Sequence, residues 1–328
     1  MLKDVKMTPA HYLGLVFIAY AAASLAWTTS PLDGVDELWH WAVIGLAFMW
    51  GSRQVLLTPF WKGLAIGCGI SSAVALSQWL SYDFIPTLDW NKPAGLFYNN
   101  AVAGSAAAIA IVGCMSVGLF RWALLPVPLL LISESRGAWA AIAVVWIAKV
   151  YTAFEGLERI VFTIFLAVAI GLAIVFFHGE SDSLRLSIWN QVLQHLTVFG
   201  RGIGASQNVY LVTPHDFFHI EHAHNDYLNL LYEYGLGAFP LFILAALLLE
   251  HSDVYAWPAF VCCLFLSIYF WTLETPITSF TFAVVAGHVA ASPSVAWRDS
   301  YFGRYSRLPR QAKPQPPTDA AGRFNVSV

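Results

Sequence analysis

The chain is made of long apolar stretches separated by short polar joints, and this spacing limits what it can fold into. Apolar runs occur at about 11–27, 37–51, 60–80, 97–120, 122–133, 137–154, 159–178, 227–249, 255–273 and 276–291. A helix needs roughly 20 apolar residues to cross the hydrocarbon core of a bilayer, and most of these runs approach that length. The period-two alternation of a membrane barrel is absent, so backbone groups in such runs have to be satisfied within helices. The sequence therefore predicts an all-α fold, a polytopic membrane bundle of about ten helices. A membrane domain is expected over 1–296, with one long extracytoplasmic loop at about 179–226. Residues 297–328 carry Pro, Arg and Gln without apolar periodicity and read as a disordered cytoplasmic tail that touches anionic lipid heads.

Charge supports this class and fixes an orientation. Charged residues are 11% of the chain and hydrophobic ones 58%, whereas a soluble domain carries roughly a quarter charged residues. The net charge of −3 and the lack of a basic-aromatic patch exclude a nucleic-acid partner. Cys68, Cys114, Cys262 and Cys263 lie inside apolar runs and read as small buried residues, not as a disulfide framework or metal site. Lys3 and Lys6 precede the first run, which reads as a retained signal-anchor. With the N-terminus inside, Arg53, Lys62, Arg121, Lys149 and Arg159 fall on the cytoplasmic side together with the arginines of the tail. The opposite side receives Lys92, Arg136, Arg185 and Arg201, which is the bias expected of a cytoplasmic-membrane protein.

Ser181 to Gly237 is the long polar interruption. It contains Arg185, Arg201, His195, His215, His219, His222 and His224. Ionisable groups beside a bilayer are costly without a use, so this stretch is the candidate active-site loop of an integral membrane enzyme. Asn225 or Asp226 suits the N-cap of the helix that follows. His224 then precedes a helix start, where the dipole favours a neutral imidazole and attracts phosphate, the setting of a general base. The alternative is a loop histidine that only makes hydrogen bonds. His215, Asp216, His219, Glu221, His222, His224 and Asp226 are zinc-compatible but lack the helical i, i+4 histidine pair, so no metal and no other cofactor is expected.

Asp226, Asn229, Glu233 and Gly237 share one helix face. Glu233 there either pairs to fix packing or serves the site. Arg136, in S-E-S-R-G-A-W, and Arg185, in S-L-R-L-S-I-W-N, suit bidentate contacts to a diphosphate, or else snorkel to lipid phosphates. Gly200-Arg201-Gly202-Ile203-Gly204 follows no predicted strand, which rules out a nucleotide loop and leaves a flexible turn that admits close backbone approach.

Five pieces taken together resemble the O-antigen ligase and polymerase superfamily of bacterial membrane glycosyltransferases. They are L-F-Y-N-N-A-V-A-G (96–104), S-R-G-A-W (135–139), R-L-S-I-W (185–189), F-G-R-G-I-G (199–204), and H-N-D-Y-L with E-Y-G (224–235). The chain departs from the family pattern at Asn99-Asn100, where Pro-Asn is common, and at Gly237, which follows Gly235 by two positions, not three. The resemblance implies an inverting, metal-independent transfer of a glycan from undecaprenyl diphosphate to an acceptor, either a lipid A core or a growing polysaccharide. This would occur on the outer face of the bacterial cytoplasmic membrane. It casts His224 as the base, and Arg136 and Arg185 as the residues that hold the diphosphate. Arg201, Asn100, Asn225 and Glu233, which lie in the matching pieces, and His222, two residues before the last piece, are the candidate substrate contacts. Repeat-unit polymerisation uses the same donor chemistry. A lipid-linked sugar transporter or a non-catalytic assembly protein are the alternatives of another class. Transporters tend to show repeats and broken midplane helices, whereas here the polar residues collect in one loop.

Overall fold

A computed structural model describes residues 7–53, 57–80, 93–97, 99–153, 180–212, 217–220, 223–250, 254–269, 272–273 and 275–292. The predicted span at 159–178, the tail at 297–328, and His215, Asp216, Glu221 and His222 lie outside them. The helices are α1 Pro9–Ser24, α2 Pro31–Gly51, α3 Leu57–Trp79, α4 Asn100–Ser116, α5 Phe120–Ala123, α6 Val127–Ile132 and α7 Arg136–Ala153. They continue with α8 Glu180–Gln194, α9 Asp226–Tyr234, α10 Phe239–Leu249, α11 Trp257–Tyr269 and α12 Pro276–Ala291. The fold is helical, as expected, with one addition. Within the long loop, β1 Val209–Val212 and β2 Phe217–Ile220 form an antiparallel hairpin in which Val209 faces Ile220 and Val212 faces Phe217.

Helix starts follow local chemistry. Thr8-Pro9, Ser30-Pro31 and Thr275-Pro276 place proline in the first turn, where its missing N–H costs nothing. Among the described residues, Leu57–Trp79 and Asp226–Leu249 are long and apolar enough to cross a membrane. The second is broken by a 3₁₀ turn at Gly235–Ala238, between α9 and α10. Other apolar helices, such as Pro9–Ser24 and Asn100–Ser116, are shorter. Outward faces are apolar too: Leu32 is 85% and Trp39 73% exposed on α2, and Ile70 and Leu76 stand out from α3. A surface of this kind calls for an apolar solvent or partner.

The core is organised around α4. Its residues from Val102 to Cys114 are buried, and the small side chains of Ala106, Ala107, Ala108 and Ala110 admit close packing by α3, α6, α7 and α11. Helices α2 and α12 meet backbone to backbone, since a Cβ on Gly51 would run into the Val284 carbonyl and one on Gly287 into the Phe48 carbonyl. Asn100 Nδ2 donates to the Ser133 carbonyl at 2.9 Å, which sets the start of α4 beside the turn that opens α7. At the far ends of these helices Lys62 lies over Trp122, 5.4 Å from the ring centroid, and Lys149 over Trp257 at 6.0 Å.

Candidate active site

A cavity of about 210 Å³ opens where helix starts converge. It is lined by Asn99 and Asn100 at the start of α4, by His224 just before α9, and by Thr275 and Thr278 at the start of α12. Arg185 of α8 also lines it. Two of the predicted catalytic residues, His224 and Arg185, and the predicted contact Asn100 therefore share one space, although they are remote in sequence. Unsatisfied N–H groups and the positive ends of helix dipoles make such a junction receptive to an anion.

The R-L-S-I-W piece explains how Arg185 reaches it. Arg185 and Trp189 are one turn apart on the same face of α8. Trp189 Nε1 donates to the Ala223 carbonyl at 2.9 Å, while Ile188 and Val192 are buried against Ala205, Ala223 and Tyr232. Gripping Ala223 ties α8 to the residue before His224, and Arg185 and His224 line the same cavity. The H-N-D-Y-L-N run is equally determined. Asn225 caps α9 by accepting from Leu228 N–H at 3.1 Å, Asn229 Oδ1 accepts from Ala223 N–H at 2.9 Å, and Asp226 Oδ2 accepts from Leu273 N–H at 3.0 Å. His224 itself has a φ of 53°, in the left-handed region. Among the described residues the other such non-glycine is Glu134, φ 51°, in the turn whose Ser133 carbonyl receives Asn100. A conformation of this sort costs about 1–3 kcal/mol and persists where neighbours over-determine it, a pattern that gathers at functional sites.

The remaining predicted residues fall elsewhere. Arg136 is the first residue of α7 and is exposed; it stands at the same end of the bundle but does not line the cavity. Asn225 acts through its cap and is buried. Arg201 and Glu233 belong to a separate joint. The Arg201 guanidinium lies 5.3 Å from the Tyr232 ring centroid and its Nε donates to the His195 carbonyl at 3.2 Å. Glu233, 2% exposed, accepts the Ser206 N–H at 2.9 Å. Of the two roles open to Glu233, the packing role is the one its described contact serves.

That joint also corrects the reading of the glycine-rich segment as a flexible turn: it is docked. Arg201 N–H and Gly202 N–H donate to the carbonyls of Tyr232 and Glu233, both at 2.9 Å. Ile203 is held on both sides, by the Ser24 hydroxyl at 3.0 Å and the Thr28 hydroxyl at 2.7 Å. Gly200 and Gly235 have φ of 70° and 52° and face each other's strands of chain. A Cβ on Gly200 would strike the Glu233 carbonyl, and one on Gly235 the Val198 carbonyl. F-G-R-G-I-G and E-Y-G are thus two halves of one interlocked contact.

Thr272, Thr275, Thr278 and Ser105 line the cavity without having been singled out from the sequence, and Asn99, noted there only as a departure from the family pattern, lines it too. The three threonines at steps of three across a Thr-Pro helix start were the available signal. A second cavity, of about 470 Å³, lies alongside and is bounded by apolar side chains such as Phe17, Trp41, Tyr227, Phe242, Leu264 and Leu273. Among the described residues, no three His, Cys, Asp or Glu side chains gather where they could hold a metal ion. No family model matches the chain, and no curated protein matches it.

Proposed function

We propose that this protein is an O-antigen ligase-like glycosyltransferase of the bacterial cytoplasmic membrane, acting on a glycan carried by undecaprenyl diphosphate. The observation that carries the reading is the cavity shared by His224, Arg185 and the starts of α4, α9 and α12. It offers a cation, helix N-termini and an imidazole in one place. The motif resemblance supplies the donor class.

In this reading the chain is a bundle of about ten spans, with the cavity at the extracytoplasmic face. The separation of cations supports that orientation: Arg136 and Arg185 lie at the cavity end, Lys62 and Lys149 at the other. The acceptor hydroxyl oxygen forms a bond to the anomeric carbon of the donor sugar as the bond from that carbon to the diphosphate oxygen breaks. His224 takes the hydroxyl proton, and the lipid diphosphate leaves with the electron pair. Arg185 offsets the charge that develops on it, in surroundings where the effective dielectric is low and such pairing is strong. Arg136 acts from the rim on the departing diphosphate. The steps need no metal or other cofactor.

The test is transfer by the purified full chain from a polyprenyl-diphosphate glycan to lipid A core or to a saccharide. Transfer that persists in chelator is expected, and the acceptor used separates ligation from polymerisation. No transfer to any acceptor, with donor movement across vesicles instead, would move the protein to the transporter class.

A further inference from the structure

Three helices start at the cavity, and they are not finished alike. The starts of α4 and α9 are closed by their own asparagines: Asn99 accepts Val102 N–H at 2.8 Å, and Asn225 accepts Leu228 N–H at 3.1 Å. The start of α12 is left open. Thr275 occupies its N-cap position without a side-chain capping bond, and Pro276 brings no N–H of its own. This is a helix of 16 residues, so its dipole is fully developed.

The turn before it contains a second, independent sign. Thr272 lines the same cavity, is 2% exposed, and its Oγ1 is buried with no hydrogen-bond partner among the described residues. The neighbouring Thr278 hydroxyl is already used, donating to the carbonyls of Thr272 at 2.8 Å and Thr275 at 3.1 Å. A buried hydroxyl without a partner is destabilising and rare in a settled core. Here it stands beside free helix N–H groups in a space that Arg185 also lines.

We infer that Thr272 and the open first turn of α12 form a seat for a phosphate group, with Thr272 Oγ1 donating to a phosphate oxygen. The inference rests on the glycosyl-transfer reading only for the phosphate's source, a lipid diphosphate. Thr272 is a positioning residue for that headgroup.

The experiment measures binding by the full chain in nanodiscs of polyprenyl diphosphate, and separately of inorganic pyrophosphate, beside transfer. Thr272→Val removes the hydroxyl at constant shape and should weaken lipid-diphosphate binding about tenfold or more, since a hydrogen bond to a charged group is lost. Thr272→Ser should restore it. Thr275→Asp gives α12 a good cap and sets a carboxylate where the phosphate would sit. It should raise thermal stability while binding falls at least as far as in Thr272→Val. Equal losses for inorganic pyrophosphate would assign the seat to phosphate itself, and losses confined to the lipid would assign it to the anchored headgroup. Binding within twofold of wild type in both Thr272→Val and Thr275→Asp would overturn the inference. Loss of binding in these variants, with no transfer by the wild type, would leave the seat standing and remove the transferase reading.

Discussion

The polar and the apolar cavity lie on either side of one short stretch of chain, and their linings differ almost completely. Thr272 faces the first and Leu273 the second; His224 faces the first and Tyr227 the second. The partition is held by Asp226, whose Oδ2 takes the Leu273 N–H at 3.0 Å, and by His40, whose Nε2 is 2.7 Å from the Leu273 carbonyl. On α9 and α12, which border both, what separates the two cavities is position along the helix. The polar one sits at helix starts, where backbone N–H groups, caps and dipoles are available. The apolar one takes residues further along α9 and α12 and is completed by α1, α2, α10 and α11, whose apolar side chains define its surface. Chemistry on the polar side and stability on the apolar side should therefore respond to different substitutions.

The largest effect is expected at His224. Removing it as His224→Ala should lower transfer by about 10²–10⁴-fold, the usual contribution of a positioned base, and His222→Ala should be milder. Equal losses from the two, measured with purified lipid-linked donor, would replace the single base with a histidine pair. On the apolar side, Phe260→Ala should cost about 3 kcal/mol or more of stability by opening space in the core. Thermal unfolding should report this, while the protein that remains folded keeps its turnover. A loss of turnover with unchanged stability would mean that the apolar cavity takes part in the chemistry.

Glu233 tests the joint between the glycine-rich segment and the end of α9. Glu233→Ala should cost about 1–3 kcal/mol by leaving the buried Ser206 N–H without its acceptor. Glu233→Gln, which keeps that acceptor, should recover most of the stability. Activity lost in Glu233→Gln at full stability would return the residue to the site. The smallest effect belongs to Trp189→Phe, which forfeits about 1 kcal/mol for the indole bond to the Ala223 carbonyl. It should cut transfer about fivefold through misplacement of Arg185, without changing the pH profile.

The parts of the site that were legible in the sequence are those coded locally. The cap signal at Asn225 or Asp226 after His224 is contained in a few residues and is filled by Asn225 in the structure. The i, i+4 step from Arg185 to Trp189 is just as local, but the indole bond that gives it meaning appears only in the fold. Arg201 and Glu233 drew notice as charges in an apolar chain, yet their contacts are with a joint formed by segments some 30 residues apart, which spacing alone does not reveal. Thr272 went unmarked because threonine is unremarkable in a turn; only the meeting of α4, α9 and α12 makes its hydroxyl conspicuous. The hairpin at Val209–Val212 and Phe217–Ile220 is short and mostly β-branched or aromatic in composition, and it was hidden by the polar residues around it. The break at Gly235 was hidden in turn by the continuous hydropathy of residues 227–249.

The central claim is that one cavity both holds the diphosphate and positions the base, with Arg185 and His224 dividing those tasks. Direct binding of a non-transferable polyprenyl-diphosphate analogue to the folded wild type, Arg185→Ala, Arg185→Lys and His224→Ala tests it. The expected result is binding close to wild type in His224→Ala, a clear loss in Arg185→Ala, and only partial recovery in Arg185→Lys, because an ammonium lacks the bidentate fork of the guanidinium. Unchanged binding in Arg185→Ala, or binding lost in His224→Ala, would contradict it.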